Sequence, residues 1–310
     1  MIRSLTLADM VRLVSLKDSE WVVRRGRVPE ALSQSALSGH PPFALPAFLL
    51  DRFVEHHREN IFGAIDGGRI TGLASACRRA GSTSWGVCQL VVVRDDEQSC
   101  GKLLETLAGH AGEHGAERLF LLLPDEGRLV DEARKSGFSP CTSLMVFTLV
   151  GRAALVGATP LQRHRPRLSG DDHALYRIYN ATTTAEVRKA TGLTLQQWAD
   201  AQEPRSKRTR ELVVEEDGEI RAWVRLDPRR GYVRVQSMID PLWREDLRSL
   251  VALVLDQAGS RGVQWEVPAH QESLRQALER VGFQMSGTYR LMVKLLVAQI
   301  KEPATVPVSA

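Results

Sequence analysis

The sequence carries one pattern of apolar and polar segments twice, and equivalent positions in the two copies are about 145 residues apart. In each copy an apolar strand, ending at Val93 or Ile239, runs into a polar loop and an amphipathic helix. A second apolar strand then ends at Pro124 or Pro268, and a helix, a Gly-Phe pair and a last apolar strand follow. Solenoid repeats span roughly 20–50 residues, so a repeat of this length indicates a duplicated domain.

Two domains of ordinary size fit a chain of 310 residues, and each is large enough to bury its own core. We predict modules over residues 1–150 and 158–297, followed by a disordered, proline-punctuated tail over 298–310. The turns at 66–68 and 216–218 contain Asp and Gly, which tolerate positive φ. Each turn therefore predicts a β-hairpin.

The helix of each repeat is amphipathic, with apolar residues at spacings of three and four. These residues are Leu103, Leu104, Leu107, Ala108 and Ala111 in one copy, and Leu247, Leu250, Val251, Val254, Leu255 and Ala258 in the other. We also predict a helix from about Asp9, an irregular loop over 27–46, and two helices between His173 and Gln202 that break near Gly192. Each module is thus predicted to be α/β, a mixed sheet with helices packed on it.

Charge and composition are those of an ordinary globular protein rather than a nucleic-acid binder. The net charge is +4, and basic residues concentrate at 163–167 and 205–210. Such clusters attract phosphates, but no aromatic residues interleave with them as stacking platforms for bases. We interpret them as solvated linkers or loop edges and expect no nucleic-acid partner. The alternative, a nucleic-acid binder, predicts binding that falls steeply with salt.

The expected setting is the cytoplasm, without a membrane anchor. The longest apolar runs fall far short of the roughly 20 residues of a membrane span, and the N-terminal segment lacks the apolar core of a signal peptide. All four cysteines, Cys77, Cys88, Cys100 and Cys141, lie in the first half without metal-type spacing. We expect them to be free, mostly buried thiols. The histidines are scattered, and no metal site is predicted.

The loop before each repeated helix is the strongest candidate for a ligand site. In the first half it consists of Gln98, Ser99, Cys100, Gly101, Lys102 and Leu103. The N–H groups at a helix N-terminus are unsatisfied and lie at the positive end of the helix dipole, so they bind phosphate where glycine allows a close approach. The second loop, over 244–249, has Leu247 and Ser249 at the small positions and carries Glu245 and Asp246. Only the first loop therefore predicts a phosphate site.

Each half resembles the GNAT superfamily of N-acetyltransferases, in which a hairpin, a strand, a Gln/Arg-x-x-Gly-x-Gly/Ala loop, a helix and a further strand follow in this order. The resemblance covers most of both halves and implies a tandem pair of GNAT-like modules. It further implies acetyl-CoA or another acyl-CoA as cosubstrate, with its pyrophosphate on the loop from Gln98 to Leu103. Its pantetheine arm would pair with Val91 and Val93 like a neighbouring strand.

Catalytic residues are harder to assign. The resemblance implies a tyrosine acid at the position of Ala133 or Leu278, and neither half has it. Amine acylation needs a group that accepts a proton from the ammonium. The weak candidates are Asp125 and Glu126, after the strand that ends at Pro124, and Glu266 within the equivalent strand. Helix capping is the alternative for the first two, and a solvent-facing position is the alternative for Glu266.

We therefore predict an acyl-CoA-dependent N-acyltransferase whose N-terminal module binds the cofactor and whose C-terminal module is a degenerate copy. The acceptor would be a small-molecule or peptide amine, and the protein a monomer or homodimer. The alternative is a non-catalytic tandem module that binds CoA or is purely structural. The two missing tyrosines favour this alternative, whereas the retained Gln98 and Gly101 favour the enzyme.

Overall fold

The structure is a computed structural model that describes residues 1–6, 9, 19–24, 61–93, 96–125, 128–149, 159–229, 231–243 and 247–296. The first half contains β1 (Ile2–Ser4), β2 (Ser19–Arg24), β3 (Ile61–Asp66), β4 (Arg69–Arg78), β5 (Ser84–Val93), α1 (Glu97–Glu113), β6 (Arg118–Pro124), α2 (Arg128–Lys135) and β7 (Ser139–Leu149). The predicted tail, the predicted loop over 27–46 and the boundary near 150–158 lie outside the described residues.

The second half repeats this order. It contains β8 (His164–Pro166), α3 (Asp172–Thr182), α4 (Ala185–Thr191), α5 (Leu195–Asp200), β9 (Arg210–Glu216), β10 (Glu219–Pro228), β11 (Tyr232–Ile239), α6 (Leu247–Ala258), β12 (Gly262–Pro268), α7 (Glu272–Val281) and β13 (Gln284–Leu295). The elements β3 to β7 match β9 to β13 one for one, so the predicted repeat is confirmed. Both predicted hairpins form, with positive φ at Gly67, Gly68, Asp217 and Gly218.

The segment ahead of β9 contains three helices rather than the predicted two. The extra break lies between α3 and α4, where the Thr184 side chain accepts a hydrogen bond from the Val187 N–H and caps a new helix. The break near Gly192 is as predicted. A Cβ at Gly192 would lie 2.6 Å from the backbone nitrogen of Trp198, so only glycine allows α4 to pass into α5 this closely.

The two halves share one 13-stranded sheet. Its order is β1-β3-β4-β5-β6-β13-β7-β12-β11-β10-β9-β8, and β2 pairs with β5 outside this path. The last strand of the chain, β13, therefore lies between β6 and β7 of the first half, and β7 pairs in turn with β12 of the second half. Each half thus supplies its final strand to the sheet of the other.

The sheet has one apolar face and one partly charged face. Along β12 the side chains of Val263, Trp265 and Val267 belong to the core under α6 and α7. Gln264 and Glu266, which alternate with them, are therefore on the opposite face. The same alternation in β6 places Leu119, Leu121 and Leu123 in the core under α1. The helices α1, α2, α6 and α7 thus cover one face. Helices α3 to α5 pack on part of the other face, where a cavity also lies.

A turn from the first half docks onto the second half beside this cavity. The N–H groups of Ala80 and Gly81, in the turn between β4 and β5, donate to the carbonyls of Gln202 and Asp200, at 2.9 and 3.1 Å. Thr83 adds a 2.8 Å hydrogen bond to the Asp200 carboxylate. A Cβ at Gly81 would lie 2.1 Å from the Asp200 Cγ atom, so this approach requires glycine.

The expectation of four free thiols is wrong for two of them. Cys77 on β4 and Cys88 on β5 form a disulfide across paired strands, with their Cα atoms 6.0 Å apart. Spacing in the sequence could not show that a bulge in β5 brings them together. Cys100 and Cys141 are not disulfide-bonded, as expected. In the described part of the chain, no helix has the length and apolar character of a membrane span.

Candidate functional site

Two openings interrupt the sheet, one in each half. The parallel strands β5 and β6 pair only from Ser84 to Gly86, although β5 continues to Val93. Strands β11 and β12 pair from Tyr232 to Gln236 and then continue unpaired with each other to their ends. In each half a helix begins after the first of the two parallel strands, α1 after β5 and α6 after β11. These openings are equivalent by the repeat, but their contents differ.

The first opening is filled by the chain itself. Strand β2 pairs antiparallel with β5, with Trp21 opposite Val91 and Ser19 opposite Val93. The other edge of the same stretch of β5 pairs with β4. Both edges of β5 are therefore occupied where the pantetheine arm was predicted to pair. The assignment of Val91 and Val93 to cofactor binding stays a prediction, and it would require β2 to leave.

The first loop is also engaged in internal contacts. The Asp96 carboxylate accepts a 3.1 Å hydrogen bond from the Ser99 N–H, so an internal anion already caps α1. Gln98 and Lys102 are exposed, whereas Cys100 and Leu103 are fully buried. None of the residues from Gln98 to Leu103 lines the large cavity described next. Their role in phosphate binding likewise stays a prediction.

The second opening leads into a cavity of about 830 Å³ between the halves. Its walls come from β4 to β6, from α3 to α5, and from the ends of β11 and β12. Apolar wall residues include Phe120, Leu122, Leu144, Tyr179, Trp198 and Met238. Charged side chains gather on one side, at Arg79, Glu203, Arg234 and Glu266.

The charged wall belongs to a buried ion cluster of Glu203, Arg225, Asp227, Arg234 and Glu266. Arg234 is central: its Nε and Nη2 atoms donate to the two Glu266 oxygens at 2.5 and 2.6 Å. Its Nη1 and Nη2 atoms donate to Glu203 at 2.6 and 2.8 Å. Arg225 donates to Asp227 at 3.2 Å and to the carbonyls of Glu203 and Pro204. The cluster thereby ties β10, β11 and β12 to the segment after α5.

The electrostatics of Arg234 explain why so much charge is tolerated here. Burial alone lowers the pKa of Arg234, but the charges of Glu203 and Glu266 outweigh that effect and raise it well above its ordinary value. The guanidinium is therefore a permanent cation between two carboxylates. Its bidentate geometry satisfies both partners in a place where unpaired charge would be costly.

The structure places the three predicted carboxylates in different surroundings. Glu266 is 3% exposed rather than solvent-facing, and it lines the cavity, where it accepts bonds from Arg234 and Gln236. Asp125 does not line the cavity; its carboxylate accepts from Arg290 of β13 at 2.5 Å. Glu126 lies outside the described residues. None of the three is assigned as a base by these contacts, and Glu266 alone reaches the cavity.

His270 is a site residue that we missed in the sequence. It lies two residues after the end of β12, at the mouth of the second opening, and lines the cavity. His270 remains exposed to solvent, but the protein around it partly desolvates the ring and lowers the pKa of His270 below its ordinary value, which favours the neutral imidazole at pH 7. The repeat could have indicated this position, because His270 follows Pro268 by two residues just as Glu126, a predicted base, follows Pro124.

A second group of side chains on α1 bears on the expectation of no metal. His110, Glu113 and His114 offer ligand atoms that all lie within 4.8 Å of one another. His110 also packs edge-on against Phe62, and its carbonyl contacts the His114 Nδ1 atom at 2.8 Å. His110 and His114 are four residues apart, a spacing that places both on one face of a helix and could have indicated this group from the sequence.

Comparison with solved structures identifies the architecture. A GCN5-related N-acetyltransferase from Sphaerobacter thermophilus superposes with a TM-score of 0.55 at 15% identity, covering 95% of each chain. The chain has the GNAT fold. A Pyrococcus horikoshii protein named provisionally as an acetyltransferase gives a TM-score of 0.53 at 10% identity, covering 96% of this chain and 90% of that one. At these identities the likeness establishes the GNAT fold alone. No family model and no curated protein matches the sequence.

Proposed function

We propose that this protein is an acyl-CoA-dependent N-acyltransferase that binds an amine acceptor in the cavity and reacts it at the second opening. The observation that carries the proposal is the edge of β11. From Ser237 to Ile239 this edge has no strand partner on the β12 side among the described residues, and it borders the cavity. This location differs from the N-terminal module that the loop sequence favours.

The two halves give conflicting signals, and steric considerations favour the second half. The first loop keeps Gln98 and Gly101, but β2 fills the adjoining opening and Asp96 caps the helix. An occupied strand edge excludes an extended arm, whereas a cation near a helix N-terminus can help to hold a phosphate even where the loop lacks glycine. The first turn of α6 carries one such cation, Arg248. The open β11 edge therefore fits the pantetheine arm better than β5 does.

The acyl donor supplies an activated thioester, and residues of this chain supply the rest. N–H groups on the β11 edge would donate to the thioester oxygen as negative charge develops on it. Neutral His270, at the same mouth, would accept the proton from the amine directly or through one water. The ion cluster, with Glu266 held by Arg234, would keep the β11 and β12 ends in place.

Calorimetric titration of acetyl-CoA tests this assignment. We expect one-to-one binding by the wild type and by Lys102→Glu, whose exposed side chain borders the first loop. Met238→Trp, which fills the second opening, should abolish binding, whereas Met238→Ala, which keeps the opening clear, should not. Loss of binding in Lys102→Glu with retention in Met238→Trp would return the cofactor to the first module. No binding by the folded wild type would overturn the enzyme and favour the non-catalytic alternative.

A further inference from the structure

Two arginines that line the cavity, Arg78 and Arg79, lie outside the ion cluster, and Arg79 is the one that approaches it, with its Nη2 atom 4.0 Å from Glu203. Arg79 follows β4 directly, and its N–H donates to the Ser84 carbonyl at 2.8 Å. The next two residues dock on the segment around α5, so both halves fix the backbone at this point. Its side chain is 19% exposed, in contrast to 4% for Arg234.

The guanidinium of Arg79 lies against an aromatic ring and keeps hydrogen-bond donors that the protein does not use. Its Cζ atom lies 4.6 Å from the centroid of the Phe120 ring. A cation–π contact with the ring uses none of the N–H donors of the guanidinium, so they stay available for hydrogen bonds. Within the described residues, those groups make no hydrogen bond, and the nearest anion, the Glu203 Oε1 atom, lies 4.0 Å from Nη2. Glu203 is itself engaged in two bonds with Arg234.

The local charge balance leaves Arg79 short of negative partners. Burial lowers the pKa of Arg79, Glu203 only partly opposes this effect, and the nearby cations Arg234 and Arg225 lower it further. An anion that enters the cavity would therefore gain an interaction that the protein does not satisfy internally. A planar carboxylate matches the guanidinium fork with two parallel hydrogen bonds. A phosphate dianion would be repelled more strongly by Glu203.

We infer that Arg79 binds a carboxylate of the acceptor, so that the acceptor is an amine that also carries a carboxylate, as amino acids do. The identification of the bound molecule as the acceptor rests on the proposed function. The carboxylate site itself rests on the contacts of Arg79 described above. The apolar walls, including Leu122, Leu144 and Trp198, would surround the body of such a molecule.

Calorimetry without acyl donor tests the site. The probes are L-phenylalanine, 4-aminobutanoate and 6-aminohexanoate, each compared with its carboxamide, so that charge changes while shape is kept. We expect at least one acid to bind the wild type about 10- to 100-fold more tightly than its amide, the range for hydrogen bonds to charged groups. Arg79→Gln should abolish this preference, and Arg79→Lys should reduce it. Arg261→Gln, outside the cavity and at the other end of β12, should retain it.

The outcomes separate the two proposals. No preference for any acid in the wild type, or a preference that persists in Arg79→Gln, would overturn the carboxylate site. Acetyl-CoA titration of the same variants is the second readout, and Arg79→Gln should bind acetyl-CoA like the wild type. An acid preference in a protein that fails to bind acetyl-CoA would support the carboxylate site and refute the acyltransferase. Binding of acetyl-CoA without acid preference would do the reverse.

Discussion

Replacing Arg234 by methionine would test whether the buried ion cluster holds the second opening together. The substitution keeps a long apolar side chain but removes four hydrogen bonds of 2.5 to 2.8 Å to Glu266 and Glu203. Glu266, which is 3% exposed, would keep the amide of Gln236 as its one side-chain donor among the described residues. Two carboxylates would then face each other across the space left by the cation.

The magnitude follows from this geometry. Breaking a buried ion pair by removing one partner costs about 3–5 kcal/mol, because the other charge is left uncompensated. At about 2–4 °C per kcal/mol for chains of somewhat smaller size, the melting temperature should fall by roughly 6–20 °C. The double variant Arg234→Met with Glu266→Met removes the stranded charge as well. It should therefore recover at least half of the loss.

Thermal unfolding followed by circular dichroism measures both values. Arg275→Met is the control, because Arg275 also pairs with two carboxylates, Glu272 and Glu279, but on the exposed side of α7. Its melting temperature should match that of the wild type. The reasoning is refuted if Arg234→Met costs no more than Arg275→Met, or if the double variant is less stable than the single one.

Three further outcomes are expected. Gly81→Ala should destabilise the protein by about 1–3 kcal/mol in chemical denaturation, because the added Cβ would collide with Asp200 at the end of α5. The control Gly109→Ala, whose Cβ would lie in open space on α1, should not destabilise it. Equal stabilities of the two variants would argue against the docked turn. His270→Gln should lower the rate of CoA release by about 10²–10⁴-fold at unchanged acetyl-CoA affinity. Because the neutral ring is the base and its pKa is below 6.5, wild-type activity should hold at pH 7 and fall on acidification; a profile without that fall would exclude this role. Ellman titration should detect almost no thiol in the native protein, since Cys100 is fully buried and burial raises the pKa of Cys141 to about 12. Unfolding without reductant should release two thiols, and four would disprove the disulfide.

Local pattern was enough to predict the elements of the repeat, but not how the halves combine. The hairpin turns and the Gly-Phe pairs depend on backbone conformation within a few residues, which the sequence states directly. The exchange of β7 and β13 depends on a choice between two similar strands. Both are apolar, both follow a helix and a Gly-Phe pair, and either would fit beside β6 or β12. Duplication makes these alternatives nearly equivalent in sequence, so only tertiary packing distinguishes them.

The charged side of the cavity was missed for a related reason. Glu203, Arg225, Asp227, Arg234 and Glu266 come from separate segments of the chain, and each alone looks like a solvated polar residue of a strand or loop. Alternation within β12 puts Glu266 and Trp265 on opposite faces of the sheet, in keeping with the solvent-facing alternative for Glu266. It could not show that α3 to α5 cover the polar face and exclude water from it, which turns a solvent-facing residue into a buried one.

The first loop shows how a ligand-binding pattern can persist for a different reason. Gly101 is the fifth residue of α1 rather than part of the open turn before it, and a Cβ there would point toward Ser136 and Glu132 of the α2 region, at 3.5 and 3.7 Å. Its carbonyl accepts a 3.5 Å bond from Ser136. A small residue at this position therefore serves the approach of two helices, whether or not a phosphate binds. The role of Gln98 and Gly101 in cofactor binding stays a prediction, and with β2 in the adjoining opening it would require β2 to leave.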